Sequence, residues 1–144
     1  MRQFILVFLL AVLAACQPSA PGKQLVATDI TGADFGHELN LTDHHGQPRS
    51  LAEFKGKAVV LFIGYTHCPD VCPTTMIDLK QTMKLLGRRA DEVQVLFVTL
   101  DPERDTQEVL AQFVPSFDAR FIGLRGDESA TKLVQANFKI YAKK

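Results

Sequence analysis

An α/β domain with a partly parallel sheet, flanked by helices, is predicted by three observations. Two apolar, β-branched runs of strand length stand at Ala58 to Gly64 and Val93 to Leu100. Apolar residues at helical spacing lie between them, and two further helical stripes follow, separated by a short strand-like run. A strand, helix, strand unit crosses over right-handed in one sheet, which makes its two strands parallel.

Taken in order, Phe35, Leu39 and Leu41 alternate weakly and predict an early extended segment, ended by the turn residues His45-Gly46 and Pro48. Ser50 is placed to cap a short turn carrying Leu51 and Phe54, which Gly56 closes. Ala58 to Gly64 lacks polar alternation, as expected for a central parallel strand covered on both faces. Met76, Leu79, Met83 and Leu86 mark a helix that buries one stripe, with Gly87 just past its end. Val93 to Leu100 is the second buried strand. Asp105 followed by Glu108 imitates a capping box, opening a helix whose inner face is Val109, Leu110, Phe113, Val114 and Phe117. Phe121 to Leu124 is a short third strand, and Asp127 or Ser129 caps a last helix through Leu133, Val134 and Phe138.

With 144 residues, 47% of them apolar, the chain builds one core and not two. Its 16 Lys and Arg balance 16 Asp and Glu, with no basic run and no aromatic–arginine alternation, so nucleic acid is not an expected partner.

The first fifteen residues have the layout of a secretory signal peptide: Arg2 is the only charge, Phe4 to Leu13 is unbroken apolar, and small Ala14 and Ala15 precede Cys16. The run is about half the roughly 20 residues a membrane-spanning helix needs. Leu13-Ala14-Ala15-Cys16 resembles the bacterial lipobox, which implies acylation of Cys16, a mature N-terminus there, and a membrane held through the lipid. The chain is thus expected to divide into a signal peptide at 1–15, a lipid-anchored tether at 16–34 and a domain at 35–144. The expected location is the bacterial cell envelope, with the domain on its periplasmic or outer face.

With Cys16 assigned to lipid, Cys68 and Cys72 are the thiols of the domain, and they pair, bind metal or stay reduced. An exported setting permits a disulfide. They lie in Tyr65-Thr66-His67-Cys68-Pro69-Asp70-Val71-Cys72-Pro73, between the first buried strand and the first long helix. Sites in open α/β sheets form beyond the carboxyl ends of strands, and a helix N-terminus there favours thiolates. Pro73 suits a first helical turn, so Cys72 is expected at the helix start and Cys68 in the loop before it. That spacing permits an internal disulfide, and it equally lets two soft sulfurs hold one Cu(I). Zinc ordinarily takes four ligands, and no second cysteine pair or downstream histidine supplies them. A purely structural disulfide is the competing reading, although such bridges gain more by closing longer loops.

The nine residues from Tyr65 to Pro73 are followed by Thr99-Leu100-Asp101-Pro102-Glu103-Arg104-Asp105-Thr106 and Arg120-Phe121-Ile122-Gly123-Leu124. Three motifs in this order, within a match from Leu39 to Tyr141, resemble the Sco/SenC family. The resemblance implies a thioredoxin-like fold and a copper chaperone that delivers Cu(I) to an oxidase subunit during cytochrome c oxidase assembly, with associated thiol-disulfide chemistry. By position, Cys68 and Cys72 match the family's thiolate copper ligands and its redox-active pair. The family's third ligand is a downstream histidine, whereas all four histidines here precede Cys68. The C-terminal strands are therefore expected to be missing, with Cu(I) favoured over Cu(II). His67 is expected to point away from the sulfurs, and His44 and His45 to be solvated in a polar turn. Asp101 is a candidate to sit behind the sulfurs or, equally, a turn former.

A thiol-disulfide reductase acting on cysteines of the oxidase subunit, and a shortened copy without function, are the alternatives. A peroxidase fits less well, because Thr74 and Thr75 follow the cysteines where a peroxiredoxin wants a threonine ahead of them.

Overall fold

The computed structural model describes residues 27–142. Cys16, the signal peptide and most of the expected tether lie outside these residues. The chain divides between Ala33 and Asp34. In the first unit, a turn is closed by the Ala33 amide on the Ile30 carbonyl at 3.0 Å.

The second unit is a thioredoxin-like, mixed five-stranded sheet with helices. Its strands are β1 (Asn40–Asp43), β2 (Pro48–Ser50), β3 (Ala58–Gly64), β4 (Val93–Thr99) and β5 (Ile122–Arg125). They stand in the order β2-β1-β5-β4-β3. β3, β4 and β5 are parallel, while β1 runs antiparallel to both β5 and β2. The helices are α1 (Val71–Leu86), α2 (Gln107–Phe117) and α3 (Glu128–Asn137), with 3₁₀ turns at Leu51–Phe54 and Gly87–Glu92.

Period-2 alternation along β4 divides the core. Val95 and Phe97 pack with Met76 and Met83 of α1 and Leu110 and Val114 of α2. Leu96 and Val98 pack with Leu39, Leu41, Phe54, Leu124 and Val134. β4 is therefore an inner strand covered on both faces, between β5 and β3. β3, expected as a central strand, lies at the sheet edge among the described residues, and Val59 to Ile63 are half-buried. Its apolar run has the expected cause, since Val60 and Phe62 face one cluster and Val59, Leu61 and Ile63 the other. Two-faced packing produces an unbroken apolar run whether or not the strand's outer edge is paired.

The ends of the elements follow local chemistry. Gly87 ends α1 at φ +56°, and the Asp127 side chain accepts from the Ala130 amide at 2.7 Å to cap α3. Glu53 accepts from the Ser50 amide at 2.7 Å and steadies the first 3₁₀ turn. At α2 the cap is Thr106, whose hydroxyl accepts from the Val109 amide at 3.3 Å. Asp105, expected there, turns inward instead. No helix among the described residues is long and apolar enough to cross a membrane.

Candidate metal and thiol site

The parallel register pairs Gly64 with Thr99, so the loops after β3 and β4 leave the sheet side by side. The first carries the cysteines. Cys72 falls in the first turn of α1, ahead of Pro73, and Cys68 in the preceding loop, where its amide donates to the Tyr65 carbonyl at 3.3 Å. Both are free thiols. Cys68 is partly exposed and Cys72 is buried. A Cβ added to Gly64 would come within 2.8 Å of the Cys72 sulfur, so the absent side chain is the space that sulfur fills.

The two sulfurs differ electrostatically. The Cys68 pKa is drawn below the ordinary thiol value by the Cys72 thiol that donates to it, then by the amides of Cys72 and Asp70, with a smaller contribution from the Tyr65 hydroxyl. Cys72 is pushed up, first by burial, then by the neighbouring Cys68 sulfur and the Asp105 charge, against an opposing bond from the Tyr65 amide. Tyr65 itself is pushed up by the charge of Cys68. The partly exposed sulfur is thus the more readily ionised of the two, with the less readily ionised one buried behind it. Beyond Tyr65 opens a cavity of about 1040 Å³, lined also by Leu100, Asp101 and Arg104, at the carboxyl ends of the strands.

The expected neighbours are redistributed. Asp101 is bound to the Arg104 side chain, and its amide donates to the Thr99 hydroxyl at 3.0 Å. The carboxylate behind the cysteine loop is Asp105, with no exposed surface. It accepts from the Thr66 amide at 3.0 Å, the Thr66 hydroxyl at 2.6 Å and the Thr99 hydroxyl at 2.5 Å. His67 turns its Nδ1 toward Thr66 Oγ1 at 3.1 Å and Asp105 at 3.5 Å. Among the described residues no three His, Cys, Asp or Glu side chains gather into a metal-holding group. His44, expected in solvent, is buried, and its Nδ1 accepts from the Gly123 amide at 2.9 Å. Its ring tilts against that of His45, with centroids 4.1 Å apart.

The sequence carried faint signals for Asp105 and Tyr65. Asp105 imitates a cap, and Tyr65 reads as the first residue after a strand.

The SCO1/SenC family model matches residues 27–144. This chain belongs to the SCO1/SenC family. Its similarity to the mitochondrial SCO2 homologue of Mus musculus is 39% identity over 106 residues, covering 72% of this chain and 42% of the relative. The chain thus spans about two fifths of that relative's length. Among solved SCO1/SenC structures, ScoI of Bradyrhizobium japonicum with copper bound superposes with a TM-score of 0.72 at 39% identity, covering 76% of this chain and 70% of that one. BsSco, described as having a disulfide switch and as a member of the Sco family of cytochrome c oxidase assembly proteins, shares the fold at 23% identity, with a TM-score of 0.64. That match covers 78% of this chain and 69% of BsSco.

Proposed function

We propose that this protein is a copper chaperone that holds Cu(I) between Cys68 and Cys72 and passes it by ligand exchange to a cytochrome c oxidase subunit. The observation that carries the reading is the pair of free, adjacent thiols at the β3–α1 junction. Amide and hydroxyl donors converge on Cys68. Two soft sulfurs satisfy Cu(I), and the negative charge they bring is favoured at a helix start. The cradle at Gly64 fits a sulfur that must stay beside its neighbour. Copper here is cargo: Cys68, the exposed member, is the sulfur a recipient's ligand reaches first.

The test is Cu(I) titration of the reduced protein against a chromogenic competitor. One Cu(I) per chain, lost in both Cys68→Ser and Cys72→Ser, is the expected result. Binding that survives either substitution rejects the ligand pair.

A specific observation favours a second activity at the same site. The partly exposed thiol is drawn toward thiolate and the buried one is pushed the other way, the division expected between an attacking and a resolving cysteine in thiol-disulfide exchange. The sequence reading of Cys16 extends the proposal to a lipid-anchored protein of the bacterial envelope. Intact mass of membrane-extracted protein tests that extension, and an unmodified Cys16 rejects it.

A further inference from the structure

The buried polar cluster under the cysteine loop holds no ligand in the copper reading above. Asp105 comes from the segment after β4, yet three of its donors belong to other elements: two on Thr66, in the loop after β3, and one on Thr99, at the end of β4. Thr99 pairs in register with Gly64, and Gly64 is the cradle of the Cys72 sulfur. Thr99 is itself fixed in direction: its hydroxyl accepts from the Asp101 amide at 3.0 Å and so sends its own hydrogen to Asp105. The Asp105 amide closes the turn on the Asp101 carbonyl at 2.9 Å, which holds the carboxylate in place.

We propose that Asp105 is the positioning residue of the thiol pair: its buried carboxylate latches the Thr66 turn to the end of β4 and thereby fixes where the Cys68 and Cys72 sulfurs stand. Thr66 lies two residues before Cys68, and both of its hydrogen-bond donors go to this one carboxylate. A loop held at one end by α1 and at the other by Asp105 has little freedom left. The sulfurs are then presented to a ligand already ordered, and the ordering entropy is not charged to binding. The same constraint raises the effective concentration of one thiol at the other, which favours their disulfide.

The copper consequence rests on the chaperone reading, whereas the redox consequence does not, so two measurements separate them. Full-length Asp105→Ala, Asp105→Asn and Thr66→Val proteins are compared with the unsubstituted chain. Cu(I) affinity is measured by chelator competition. The Cys68–Cys72 disulfide is separately equilibrated with glutathione, in which its S–S bond breaks, that of oxidised glutathione forms, and two electrons pass. Removing the carboxylate is expected to weaken Cu(I) binding by about 10–100-fold, the usual effect of losing a group that orients metal ligands. It is also expected to shift the exchange constant about tenfold toward the dithiol. Asp105→Asn keeps an acceptor for Thr66 and recovers most of both, a rescue that a role through charge would not permit. Thr66→Val removes one contact and falls between.

A folded Asp105→Ala protein with both constants within about twofold of the parent overturns the proposal. Equal losses in Asp105→Asn and Asp105→Ala also overturn it. Should Asp105→Ala not fold, Thr66→Val decides by the same criterion. If the parent chain binds no Cu(I), the chaperone reading fails and the latch stands or falls on the exchange constant alone.

Discussion

Gly64 and Cys72 occupy one space, the last residue of β3 leaving room for the sulfur at the start of α1. A Cβ there would also stand 3.5 Å from the rings of Phe62 and Phe97, so it has no slack on either side. Gly64→Ala is expected to lower stability by about 1–3 kcal/mol, as overpacking does, and to weaken Cu(I) binding by displacing the sulfur. Denaturant unfolding and copper competition read the two effects. Wild-type values for both would show that the sulfur has other room.

Alkylation should distinguish the thiols. Cys68 is partly exposed and drawn toward thiolate, while Cys72 is buried and pushed the other way. Limiting iodoacetamide near neutral pH is expected to label Cys68 first, followed by mass spectrometry of the peptides. Tyr65→Phe removes one donor to Cys68, so it should raise that pKa and slow labelling. Faster labelling of Cys72 would reverse the assigned order.

Oxidation of the pair to a disulfide removes both free thiolates, and Cu(I) binding is expected to disappear and return with a reductant. Equal copper content in oxidised and reduced protein at the same Cu(I) activity would contradict a thiolate site.

Acid should act on the fold through His44. Burial, then the neighbouring His45 charge, lowers its pKa, with Asp43 opposing and Arg49 adding slightly to the lowering. Its Nδ1 accepts from Gly123 and so holds no proton in the folded chain. The unfolded chain therefore binds this proton more readily. Stability from His44 is fully present above the unfolded value of about 6.5 and is lost as pH falls through the lower folded value. His44→Asn keeps an acceptor for Gly123 and does not titrate. Thermal unfolding across that window should show a shallower acid dependence in the variant, and identical slopes would remove His44 as the cause.

Strands that pack on both faces were readable because burial leaves its mark on every residue. β3 and β4 appear where the apolar runs stand, and α1 where the Met76 to Leu86 stripe predicts it. Strand order was not readable, since an apolar run records what covers the faces and is silent about which neighbour shares the hydrogen bonds. The placement of the cysteines, Cys68 in the loop and Cys72 at the helix start, was legible because Pro73 suits a first helical turn. Asp105 was misread because an aspartate before a helix is an ordinary cap, and only the register of Gly64 with Thr99 brings its carboxylate under the cysteine loop. His44 was misread because its burial depends on an amide 79 residues away.

The pairing of Thr66 with Asp105 across 39 residues bears on how this loop can be engineered. A peptide copied from Tyr65 to Pro73, or the same nine residues grafted between another strand and helix, carries both sulfurs and neither anchor. A transplant that reproduces this site has to bring Thr99 at the end of an adjacent parallel strand, Asp105 in the segment that follows it, and a glycine facing the second sulfur. The smallest portable unit is thus the two neighbouring strands with the loops that leave them.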